Sequence, residues 1–188
     1  RLLWQESSEP GGDPVARRLV RDALQDQRTL DSIVPPPVPG HHSSFAQGGQ
    51  PELVVPPGSP RRLRLAVEPT APDATDNAST VRSRLEESGA FRVSVVDAGE
   101  AADLVLTDDT APNSTAIAWV RPYLDRPTHT SVLPLMLLRS AYGEATDEET
   151  RNDLMGRIQE FAVSDATVVP VWQSDEHLYV RQGYVYDT

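Results

Sequence analysis

The strongest constraint on this chain is the stretch from Val34 to Arg62, in which Pro35-Pro36-Pro37, Pro39, Gly48-Gly49, Pro56-Pro57 and Pro60 leave no hydrophobic periodicity. Proline fixes φ and lacks an N–H, so neither a helix nor a central strand forms there. Any core must therefore be assembled from the segments on either side, joined across this loop. The 188 residues are enough for one domain with a sizeable core, or two small lobes at most. We expect a single α/β lobe over 1–188, with a Pro/Gly-rich loop at 35–61 that wraps the surface and is partly mobile.

The flanking segments do carry periodicity. Leu2-Leu3-Trp4 is a short apolar run that reads as a strand. Asp13 then caps a helix that opens with Pro14 and continues with Val15, Leu19, Val20, Ala23 and Leu24 at helical spacing, while Arg17, Arg18 and Arg21 read as its solvated face. After the loop, Leu63, Leu65 and Val67 alternate as a strand, and Ala78, Val81 and Leu85 line a helix that Gly89 ends. Phe91, Val93 and Val95 form a second alternation, and Asp103-Leu104-Val105-Leu106 a third strand. This order predicts an α/β layer with a right-handed parallel crossover. In the last third, Thr146 and Glu149 read as a capping box, Leu154, Met155, Ile158, Phe161 and Ala162 as a helix face, Thr167 to Trp172 as a buried strand, and 177–186 as a terminal hairpin.

Charge narrows the partners. Asp and Glu number 28 against 17 basic residues, all of them Arg, for a net charge of −11, which repels phosphate backbones and anionic bilayers overall. Nucleic acid is excluded as a partner on that ground. No apolar run approaches the roughly 18 residues needed to span a bilayer. Cysteine is absent, so disulfides, thiolate metal sites and cysteine nucleophiles are excluded together. The exclusive use of Arg points to a coding sequence of high G+C content more than to any mechanism.

A search for catalytic chemistry finds no nucleophile elbow, phosphate loop, zinc-protease helix or dinucleotide fingerprint. His41, His42, His129 and His177 are dispersed, and no third ligand accompanies the adjacent pair, so neither a metal nor a cofactor is expected. One constellation stands out: Asp103, Asp108 and Asp109 flank the third predicted strand, and the loop Thr110 to Thr115 with Trp119 follows. The loop after a strand's carboxyl end is where α/β layers bind ligands, and a carboxylate there can meet a cationic group such as a peptide amino terminus. Asp108, Asp109, Asn113 and Trp119 are the candidate ligand contacts. A solvated turn at Asp108-Asp109, with Trp119 in the core, accounts for the same residues.

Taken together, these stretches resemble a known family. Leu2-Leu3-Trp4-Gln5 with Pro10, Asp13-Pro14-Val15 and Arg17, then Arg62 to Val67, Val81 to Leu85, Phe91-Arg92-Val93, Ala102-Asp103-Leu104 and Ala166 to Trp172, resemble in order and spacing the carboxy-terminal lobe of the family 5 extracellular solute-binding proteins. These are the oligopeptide, dipeptide and nickel receptors of ABC importers. Asp108-Asp109-Thr110-Ala111-Pro112 stands where the family carries an aromatic and Asp-Pro motif. The resemblance implies a type II periplasmic-binding-protein-like lobe, a mixed sheet flanked by helices. It further implies an extracytoplasmic protein, anchored to the membrane through a segment outside this chain, that binds a peptide or similar small solute for an ABC permease without covalent chemistry. A receptor of this kind closes two lobes on its ligand, so the first lobe would be a further partner. The alternative keeps the scaffold but makes it a cell-envelope lipoprotein or sensor module that binds a protein or regulates envelope synthesis.

Overall fold

The computed structural model describes residues 2–5, 8–24, 32–36, 38–43, 55, 58, 60–68, 74–107, 115–125 and 132–171. Its elements, in chain order, are β1 (Leu2–Trp4), α1 (Glu9–Gly12), α2 (Pro14–Ala23), β2 (Arg61–Val67), α3 (Ala74–Glu87), β3 (Phe91–Val96), β4 (Leu104–Leu106), α4 (Ala116–Leu124), α5 (Val132–Glu144), α6 (Glu148–Asp165) and β5 (Val168–Val169). The strands form one mixed sheet in the order β3-β2-β4-β1-β5. β2 runs parallel to β3 and β4, and β1 runs antiparallel to β4 and β5.

The predicted strand, helix, strand crossover is β2-α3-β3. Ala78, Val81 and Leu85 of α3 are buried with Leu63, Leu65, Phe91 and Val93 of the sheet, and Gly89 ends the helix at φ 73. Glu86 at the end of α3 accepts the Val93 N–H at 3.1 Å, which satisfies a donor on the sheet's edge strand and holds the Glu86 carboxyl below its ordinary range. The next parallel connection, residues 97–103, has no helix. Val96 is level with Ala66 and Leu104 with Leu65, so the chain steps back one row while crossing β2. Two strand spacings, about 10 Å, are within reach of so short a segment.

Alternation along the strands sorts the apolar residues into two cores. Leu2, Trp4, Leu63, Leu65, Leu104 and Leu106 join α2 and α3 on one face, whereas Leu3 and Val168 join α4, α5 and α6 on the other. Ile33, Val34 and Val38, on either side of the prolines at 35–37, contribute to the second core. Ile33 and Val34 are buried in it, Gln159 Nε2 donates to the Gly40 carbonyl at 2.8 Å, and His42 Nε2 lies 3.0 Å from Glu160 Oε1. Gly40 has φ 88, and a Cβ there would stand 3.0 Å from that of Ala116, so the close approach of this segment to α4 requires glycine.

Arg17 is not on a solvated face. Its side chain is 1% exposed; Nη1 donates to the Gly11 carbonyl at 2.8 Å, Nε to the Asp165 carbonyl at 2.7 Å, and Nη2 to the Asp165 carboxylate at 2.9 Å. Arg21 donates to the Val163 carbonyl, so both arginines satisfy carbonyls that the end of α6 leaves without helical partners. Arg18 alone of the three is exposed. The cap of α6 also differs from the expected box: Asp147, not Thr146, accepts from Thr150 N at 2.7 Å. α4 was not foreseen as a helix because Pro122 lies within it. Trp172 and the expected hairpin at 177–186 lie outside the described residues.

Arg17→Ala takes the guanidinium away from the buried Asp165 carboxylate and from the Gly11 and Asp165 carbonyls, and should lower unfolding free energy by about 3–5 kcal/mol. Arg18→Ala should stay within about 0.5 kcal/mol. Urea midpoints compare the two. The Asp147 carboxyl is held below its ordinary range by the Thr150 N–H, so its contribution is complete above the unfolded value and disappears as pH falls through the folded one. Asp147→Ala should flatten the loss of stability measured by circular dichroism between roughly pH 5 and pH 3.

Candidate functional site

The seven-residue connection over β2 encloses a cleft of about 310 Å³ lined by Gln5, Ala66, Val67, Glu68, residues 98–102 and Val105. Ala66 and Val105 share a row of the sheet with Leu3, so the connection passes over the face opposite α3. A tight turn starts it: Glu100 N donates to the Asp97 carbonyl at 3.1 Å, with Gly99 at φ 97 in the third position, as in a type II turn. Alanines at 66, 98, 101 and 102 keep side-chain bulk out of the space beneath. Among the described residues, the polar side chains in the lining are Gln5, Glu68 and Glu100, and no basic residue is among them. Glu68 directly follows β2 and its N–H donates to the Leu106 carbonyl at 3.0 Å, which places the cleft at the carboxyl ends of β2 and β4. Two carboxylates and a carboxamide in such a place suit hydrogen-bond donors and cationic groups.

Asp103 does not join this set. It lies at the amino end of β4, 5% exposed, where its carboxylate accepts from Arg64 N at 2.8 Å, Ser8 Oγ at 3.2 Å and the Arg64 guanidinium at 3.4 Å. It closes the ladder between β2 and β4 and ties both to the start of α1, a structural task. Asp108, Asp109 and Asn113 follow Thr107, past the other end of β4, and lie outside the described residues. Trp119 is part of α4, half-buried against the second core beside Ala116, Val120 and Tyr123, and is not among the residues lining the cleft. Gln5, Glu68 and Glu100 were missed by the sequence reading. The rule that singled out Asp108 and Asp109, position just after a parallel strand, applies equally to Glu68.

No protein-family profile matches the chain, and no curated protein matches its sequence. Solved structures do match. The Escherichia coli murein tripeptide binding protein MppA aligns with a TM-score of 0.69 at 14% identity, over 92% of this chain and 41% of its own. Its unliganded open form gives 0.71 at 14% identity, over 90% and 40%. DppA from Helicobacter pylori, in complex with the peptide STSA, gives 0.65 at 14% identity, over 90% and 40%. The likeness is one of fold: a mixed sheet flanked by helices, as in periplasmic binding proteins. The chain spans about two fifths of the length of these proteins.

Trp119→Ala should remove packing from the second core and lower stability by about 2 kcal/mol, less than for a fully buried tryptophan. Thermal melting measures this, and Trp119→Phe should recover most of the loss.

Proposed function

We propose that the chain is one lobe of an extracytoplasmic solute-binding protein, supplying half of a cleft for a peptide or similar small solute delivered to an ABC importer. The observation that carries this reading is fold likeness over about 90% of the chain to proteins solved as peptide binders, combined with a span of only two fifths of their length. The missing first lobe, the permease and a membrane anchor outside the chain are the partners the reading requires. Among the described residues no helix is long and apolar enough to cross a membrane.

Recognition rests on charge and needs no covalent step. Asp108 and Asp109, just beyond β4, offer carboxylates to a peptide amino terminus, Asn113 offers an amide, and Trp119 offers an apolar plane. Glu68 and Glu100 add negative charge at the same end of the sheet, and the net charge of −11 favours approach of cationic solutes. The alternative, an envelope lipoprotein or sensor module that binds a protein, draws support from α5, where Leu133, Met136 and Leu137 are 67, 63 and 64% exposed.

Peptide-library binding to the natural gene product tests the choice. Peptides with a free amino terminus should bind at least about tenfold more tightly than their acetylated counterparts, and Asp109→Asn should erase the difference. Equal affinities for both peptide forms would remove the carboxylate role, and absence of any peptide binding would transfer the function to the envelope module.

A further inference from the structure

Parallel strands are ordinarily covered on both faces, yet among the described residues the β2-β3 pair has α3 on one face and, on the other, only the short connection over Ala66 at its carboxyl end. α3 packs over Leu63, Leu65, Phe91 and Val93, while the opposite face presents Arg62, Arg64, Arg92 and Ser94, all exposed. Arg62 and Arg92 are register partners, so two guanidiniums leave the same face from backbones about 4.8 Å apart. Like charges directly opposed across strands are destabilising, and nothing in the packing requires either side chain.

Neighbouring arginines show how this protein treats a guanidinium it uses internally. Arg61 is paired with Asp13, and Arg64 turns to Asp103 at 3.4 Å. Arg62 has no hydrogen-bond or ion-pair partner among the described residues. Arg92 lies within electrostatic reach of Glu86, but that carboxylate is engaged by Val93 N at 3.1 Å and by Arg82 at 3.3 Å. The result is a concentrated double positive charge on the surface of a chain whose net charge is −11.

We propose that Arg62 and Arg92 form a binding site for a phosphate-type oxyanion, independent of the solute cleft. Guanidinium forks match phosphate oxygens in pairs, and two forks from adjacent strands place donors on different oxygens of one dianion. The surrounding negative field repels anions at long range, so the site selects by contact and weakens with salt. The phosphate is either a free ion or the headgroup of an anionic lipid, which share this chemistry.

The test compares melting temperature in phosphate and in chloride at equal ionic strength, and follows the backbone amide signals of Arg62 and Arg92 by nuclear magnetic resonance. Phosphate should raise the melting temperature of the wild type and shift both signals, and Arg62→Gln with Arg92→Gln should weaken apparent affinity by about tenfold or more. In chloride the double variant should be as stable as the wild type, since both side chains are solvent-facing; each single variant provides the same comparison should the double fail to fold. Co-sedimentation with phosphatidylglycerol vesicles, against phosphatidylcholine vesicles, separates the sources: vesicle binding lost in the double variant without a response to inorganic phosphate assigns the headgroup, and a response to inorganic phosphate alone assigns the free ion. Equal responses of wild type and double variant, or no response of the wild type in either arm, overturn the proposal.

Discussion

The buried guanidinium of Arg17 is the constraint on which the β1-β5 side of the sheet depends. It joins the Gly11 carbonyl of α1 to both the carbonyl and the carboxylate of Asp165, the last residue of α6. α6 then stops on Ala166 at φ 52, and Thr167 immediately accepts the Trp4 N–H at 3.2 Å, so β5 is set down beside β1. A charge buried this deeply is stable only when its donors are met. The surroundings are correspondingly polarised: burial, with the Asp165 carboxylate adding to it, pushes the Tyr123 phenol well above its ordinary pKa.

That interaction was also the least legible in the sequence. Helical periodicity places Arg17 with Arg18 and Arg21 opposite the apolar stripe, and nothing local distinguishes one arginine from the others. What buries Arg17 is a helix terminus 148 residues further on. Elements governed by local rules were legible: the Asp13 cap, where Oδ1 accepts from Val15 N at 2.8 Å, the α3 face, the Gly89 stop and the three strands after the loop. α4 escaped because Pro122 interrupts its pattern and Thr115 makes no side-chain capping bond at its start. The α6 cap slipped by one residue because Thr146 and Asp147 are adjacent cap formers, and only backbone geometry chooses between them.

The candidate site was legible in principle more than in detail. Position after a parallel strand correctly directs attention to the carboxyl ends of β2 and β4. It does not separate a carboxylate that serves the fold from one that faces solvent. Asp103 looked like a member of an acidic cluster, yet its oxygens are taken by Arg64 and Ser8. Glu68 and Glu100, which do line a cleft, carried no motif, because the space they border is created by a register step and small side chains on both sides of it.

The two faces of the sheet are therefore used unequally, and this inequality shapes what the chain offers to others. One face is apolar across β1, β2, β3 and β4 and closed by α2 and α3. On the other, Leu3 and Val168 lie in the second core and Ala66 and Val105 beneath the β3-β4 connection, while β2 and β3 turn Arg62, Arg64 and Arg92 outward. A helix covering β2 and β3 on that side would bury Arg62 and Arg92 without counter-charges, a cost of several kcal/mol per ion. The short crossover between β3 and β4 avoids it by spanning β2 as seven residues at the carboxyl end of the strand, four of them Ala or Gly. The same economy of backbone leaves the acidic cleft at one end of the sheet and the arginine pair on the open face, two regions of opposite charge on a common layer of strands.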